Sequence, residues 1–98
     1  MKLTIKTTKR FDKDLKKLKK RQYDLTLLAQ IINKLSDGEI LPEKYRDHCL
    51  TGDYKGFREC HIQPDWLLIY KIEKNILVIE NTPIGNPRQK SVVNVVVC

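Results

Sequence analysis

Polar and apolar residues alternate from Lys2 to Thr7, with Leu3 and Ile5 on one side, and this period of two predicts a short strand with one buried face. After Thr8, which can cap a helix, the period lengthens. Phe11, Leu15 and Leu18 recur at i, i+4 and i+7 with lysines and aspartates between them, the pattern of an amphipathic helix. Asp24 can cap a second helix that turns Leu25, Leu28, Ile31 or Ile32, and Leu35 inward and stops at Asp37-Gly38. Glu39 to Gly52 holds Pro42, several charges and no sustained period, so a loop is expected to cross there from the helices to the rest of the sheet. A second strand is expected within Tyr54 to Ile62, followed by a proline turn at Gln63-Pro64-Asp65. A third is expected over Trp66 to Ile72 and a fourth over Ile76 to Glu80, with a turn at Glu73-Lys74-Asn75. The predicted fold is α+β in the order β-α-α-β-β-β: a two-helix hairpin packed on one face of a small, mainly antiparallel sheet.

Composition agrees with one folded domain. At 98 residues there is room for a single modest core, and 41 % hydrophobic residues exclude a disordered chain. The net charge of +7 adds something the periodicity does not, a field that attracts polyanions. Much of it lies on the outer face of the first predicted helix, at Lys13, Lys16, Lys17, Lys19, Lys20 and Arg21, which reads either as a solvated helix face or as a polyanion surface. Cys49, Cys60 and Cys98 are odd in number and lack CxxC spacing, so they suggest neither a disulfide framework nor a zinc site, and a reducing cytoplasm is expected. The first ten residues have no apolar signal core, and the run from Trp66 to Tyr70 is far too short to cross a membrane.

The candidate chemistry falls between Tyr45 and Tyr70. This stretch contains both histidines and the one tryptophan of the chain, but no phosphate-cradling glycine loop and no nucleophile-elbow motif. His48, Arg58, Glu59, His61 and Asp65 are groups suited to proton transfer and charge stabilisation, with Tyr54 and Trp66 as stacking surfaces. Alternation along a strand puts Glu59 and His61 on one face and Arg58 on the other. The competing structural readings are plain: His48 as a loop hydrogen-bonder, His61 as a satisfied interior residue, Trp66 as core, and Cys49 and Cys60 as small buried hydrophobes.

Tyr45-Arg-Asp-His48-Cys-Leu-Thr-Gly52, together with Gly56-Phe-Arg-Glu-Cys-His61-Ile-Gln-Pro-Asp65-Trp-Leu-Leu-Ile-Tyr70, resembles the YafQ branch of the RelE/ParE toxins of bacterial toxin–antitoxin systems. The resemblance covers residues 1 to about 82 and includes the early Phe11-Asp-Lys-Asp-Leu15 segment. It implies a RelE-like fold and a ribosome-dependent mRNA endoribonuclease that uses no metal or other cofactor. It also implies a DinJ/RelB-like antitoxin as partner, and operator DNA bound through the toxin–antitoxin complex. Carried over by position, it makes His48, Glu59, His61 and Asp65 catalytic and places Trp66 beside them. Lys13, Lys16, Lys17, Lys20, Arg21, Arg46, Lys55 and Arg58 are then expected to hold RNA along with Trp66. A ParE-like gyrase inhibitor would share the fold, but His48, His61 and Asp65 match the nuclease branch.

The C-terminus departs from the family pattern. The family closes its last strand with Gly-[Ser/Thr]-His, whereas here no histidine follows His61 and the chain runs Gly85-Asn-Pro-Arg88 into a valine-rich end. Residues 1–82 are therefore read as the toxin domain and 83–98 as an atypical tail. Val92 to Val97 is expected to be an edge strand or an exposed, association-prone run. A single A inserted after the glycine codon of Gly-Thr-His-Ala would yield Gly-Asn-Pro-Arg, so a shifted reading frame accounts for the change. The expectation is a weakened nuclease; the alternative is a catalytically silent scaffold that binds antitoxin and takes part in operator repression.

Overall fold

The computed structural model describes residues 2–85. Strand β1 (Thr4–Thr7) leads into α1 (Lys9–Lys20) and α2 (Leu25–Ser36); after a short 3-10 turn at Glu43–Tyr45 come β2 (His48–Cys49), a second such turn at Gly52–Tyr54, β3 (Arg58–Gln63), β4 (Trp66–Glu73) and β5 (Ile76–Asn81). The five strands form one sheet in the order β1-β5-β4-β3-β2, in which β1 runs parallel to β5 and the other pairs are antiparallel. The expected α+β architecture is observed, with β2 as an additional element.

Local chemistry sets the helix boundaries. Thr8 Oγ1 accepts the Phe11 N–H at 3.0 Å and its hydroxyl donates to the Glu80 carbonyl at 2.5 Å, so one residue caps α1 and ties it to β5. Asp24 Oδ1 accepts the Thr26 N–H at 3.0 Å at the start of α2. Beyond Asp37, Gly38 takes φ +79°, a left-handed conformation that closes the helix. Phe11 and Leu18 of α1, and Leu28, Ile31 and Leu35 of α2, are buried against Cys60, Ile62, Trp66, Leu68, Tyr70, Leu77 and Ile79 of the sheet. The choice between Ile31 and Ile32 resolves in favour of Ile31, with Ile32 packed at the margin.

Two expectations need correction. Ile5 is 44 % exposed because β1 is an edge strand with a neighbour on one side only, although its register partner Leu77 is fully buried. The stretch from Glu39 to Gly52 is not loop throughout: His48–Cys49 adds to the sheet edge, and a two-residue strand carries no periodicity to read. Pro83 accepts the Leu67 N–H at 2.9 Å and Ile84 bridges Trp66. The Val92 to Val97 alternatives and the shifted-frame account concern a segment outside the described residues. No helix among the described residues is long and apolar enough to cross a membrane.

Candidate active site

Alternation along β3 decides which side chains meet. Cys60 and Ile62 point to the helices, so Glu59 and His61 point to the opposite face, where Ile69 and Leu67 of β4 are their register partners. On the other side of β3, His48 of β2 is paired directly with Glu59. A strand of two residues thus brings His48 onto the face that carries Glu59 and His61.

His48 Nδ1 lies 2.7 Å from the Arg46 carbonyl, which can only accept, so Nδ1 carries the proton. Nε2, itself buried, lies 3.2 Å from Glu59 Oε1. That approach is within ion-pair distance but is not aligned as a hydrogen bond, so it supplies charge more than direction. The Glu59 side chain is fully buried and that of His48 only 10 % exposed. The rings of His48 and His61 have centroids 6.4 Å apart, and His61 Nε2 is buried without a hydrogen-bond partner among the described residues. Two imidazoles and a carboxylate therefore share one site. Asp65 is exposed in the turn between β3 and β4.

Other expected site residues are placed differently. Trp66 is fully buried, donates Nε1–H to Thr82 Oγ1 at 2.8 Å and meets Tyr23 edge-on at 5.1 Å, so the expectation of a base-stacking surface is corrected in favour of a core role. Arg58 faces the helix side, where its Nε donates to Asp47 Oδ1 at 3.0 Å. Burial disfavours its charge, yet the Asp47 carboxylate and, after it, Tyr70 together more than compensate, and the guanidinium is held above its ordinary value. Asp47 Oδ2 accepts the Tyr70 hydroxyl at 2.5 Å; burial first, and then this carboxylate, push the Tyr70 phenol up. Burial, with Asp47 and Glu59 adding to it, also raises the Cys60 thiol, so this free cysteine is an inert core residue.

Lys13, Lys16, Lys17, Lys20 and Arg21 are exposed as expected, but α1 lies on the opposite side of the sheet from the histidines. They therefore do not line the site between His48 and His61. Arg46 and Lys55 are exposed as well. Beside His61 opens a cleft of about 530 Å³ whose walls include Lys44, Tyr45, Arg46, Gln63 and Pro64. Arg46 itself adopts φ 50°, a left-handed conformation uncommon for a residue with a side chain, and it is the residue whose carbonyl orients His48. Sequence reasoning missed Asp47, Tyr70 and the conformation of Arg46. Asp47 was visible only as the neighbour of His48, and nothing local showed that its partners lie on β3 and β4. No group of three or more His, Cys, Asp or Glu side chains among the described residues could hold a metal ion.

Comparison with known proteins bears on the family and the fold. The family described as bacterial toxin of type II toxin–antitoxin system, YafQ, matches residues 3–86. The mRNA interferase toxin YafQ of Escherichia coli K12 is 38 % identical over 79 residues, covering 80 % of this chain and 86 % of the relative. Among solved structures, the E. coli DinJ-YafQ toxin–antitoxin complex aligns with a TM-score of 0.79 at 35 % identity, covering 86 % of this chain and 93 % of the other. A metal-bound toxin from Helicobacter pylori aligns with a TM-score of 0.80 at 44 % identity, over 88 % of this chain and 98 % of the other.

Proposed function

The chain belongs to the YafQ family of bacterial type II toxins, and we propose that it is a cytoplasmic, metal-independent endoribonuclease that cleaves mRNA on the ribosome. The observation that carries this reading is the meeting of His48, Glu59 and His61 on the helix-free face, with the His48 proton fixed on Nδ1. Chain cleavage at a 2′-hydroxyl needs only proton transfers and charge stabilisation. His48 takes the 2′-hydroxyl proton, backed by the Glu59 carboxylate 3.2 Å from its Nε2. The 2′-oxygen bonds to phosphorus, the bond from phosphorus to the 5′-oxygen breaks, and protonated His61 returns a proton to that leaving oxygen. Arg46 and Lys44, exposed on the cleft beside His61, are cations available to the phosphate, and Asp65 sits on the turn that follows.

The remaining parts of the proposal follow from family membership. A DinJ-like antitoxin silences the chain, and the complex binds its operator DNA. The bases of α1 hold ribosomal RNA away from the cut strand. The lack of any histidine after His61 removes one proton-transfer group, which lowers the rate by about 10²- to 10⁴-fold relative to a complete family site. The same feature supports a second reading in which the chain is a silent scaffold that binds antitoxin and assists repression.

The test is cleavage of mRNA on programmed ribosomes, with purified chain and excess chelator. Slow cleavage that His48→Ala and His61→Ala abolish is expected. Cleavage that survives both substitutions, or that stops on chelation, would overturn the proton-transfer reading. Antitoxin binding with no cleavage at any enzyme concentration would establish the scaffold.

A further inference from the structure

We propose that Asp47 is a positioning residue that locks β2 to the sheet and so aims His48 at Glu59. This rests on the nuclease reading only in that His48 is the group being positioned. β2 has two residues, paired as His48 with Glu59 and Cys49 with Arg58, and so short a ladder does not hold its own register. It leaves Arg46 in a left-handed conformation that needs external support.

Asp47 supplies that support. Its Oδ1 accepts Arg58 Nε at 3.0 Å and its Oδ2 accepts the Tyr70 hydroxyl at 2.5 Å. Arg58 and Tyr70 are themselves register partners on β3 and β4, so a single carboxylate joins the β2 segment to both central strands. Bonds to a charged acceptor are the stronger kind, and here both oxygens are engaged. In extended chain, neighbouring residues point to opposite faces. Asp47 therefore anchors on the helix side while His48 projects to the site, and Asp47 acts through His48 without reaching the reacting phosphate. The same network makes Arg58 a structural cation and takes it out of the set expected to hold RNA.

The experiment is NMR of the ¹⁵N-labelled full chain, reading the tautomer of each histidine ring and the exchange rate of the His48 Nδ1 proton. In Asp47→Asn and Tyr70→Phe the fold is expected to persist while His48 Nδ1–H exchange rises roughly tenfold or more, the factor given by losing one bond to a charged group. In Asp47→Ala the His48 ring is expected to lose its fixed tautomer while His61 is unchanged. Where cleavage is measurable, kcat falls on the order of 10²-fold with little change in KM, since displacing a reacting group by about 1 Å has that effect. Should Asp47→Ala unfold, Asp47→Asn and Tyr70→Phe decide the question. An unaltered His48 tautomer and exchange rate in both would overturn the proposal. Disordering of His48 without cleavage by any variant, native chain included, would retire the nuclease reading and leave the clamp standing.

Discussion

Replacing Thr82 by valine keeps the outline of the side chain and removes its hydroxyl. That hydroxyl, on a residue 1 % exposed, accepts Trp66 Nε1–H at 2.8 Å and donates to the Leu67 carbonyl at 2.7 Å. Without it, a buried indole N–H loses its acceptor and a carbonyl loses a donor, each worth about 1–3 kcal/mol when left unsatisfied. The added methyl returns about 0.8 kcal/mol by burial. The net loss is about 1–5 kcal/mol, or a fall in Tm of roughly 5–40 °C for a domain of this size. Urea unfolding followed by Trp66 fluorescence measures it, with the m-value expected to be unchanged. A loss below about 0.5 kcal/mol would count against this reading, because it would mean that the indole N–H finds another acceptor and that Trp66 is less firmly part of the core than its burial indicates.

Three further outcomes are expected. The Tyr70 phenol is held above its ordinary value in the fold, so its contribution is complete below pH about 10 and is lost as pH rises through the raised folded value; native chain and Tyr70→Phe should converge in urea midpoint between pH 9 and 12 (about the phenol range), and a constant gap would contradict this. Cys60, free and buried with its thiol pushed up, should resist iodoacetamide in the folded chain at pH about 8.5 and react on unfolding, as mass spectrometry of its peptide would show. Changing Lys13, Lys16, Lys17 and Lys20 together to glutamine should lower the salt slope of ribosome binding by about 3 units, at roughly 0.7–0.9 for each phosphate no longer neutralised, with stability nearly unchanged.

The helices and the central strands are legible in the sequence because their signals are local. Phe11, Leu15 and Leu18 state a period, Thr8 and Asp24 state a start, and Gly38 states an end. Alternation along β3 also separates Glu59 and His61 from Arg58 on the sequence alone, and the structure keeps that separation. What could not be read depends on residues distant in sequence. β2 exists because His48 finds Glu59 eleven residues on, and Asp47 reaches Tyr70 across 23 positions. Trp66 resembles a site residue by position and is a core residue by packing, its hydrogen-bond partner lying 16 residues away. The exposure of Ile5 has the same origin, since a period of two marks a face but does not say whether the strand lies at an edge.

On the proposed mechanism, His48, Glu59 and His61 form a proton-transfer site left incomplete by the absence of a later histidine. The decisive comparison is of mRNA cleavage rates on programmed ribosomes for the chain as it stands and for a version in which the segment after Asn81 is replaced by the family ending Thr-Gly-Thr-His. The histidine-bearing version is expected to cleave about 10²- to 10⁴-fold faster, and His48→Ala to abolish the gain. Equal rates for the two versions would contradict the mechanism, and would mean that the residues present suffice without the missing group.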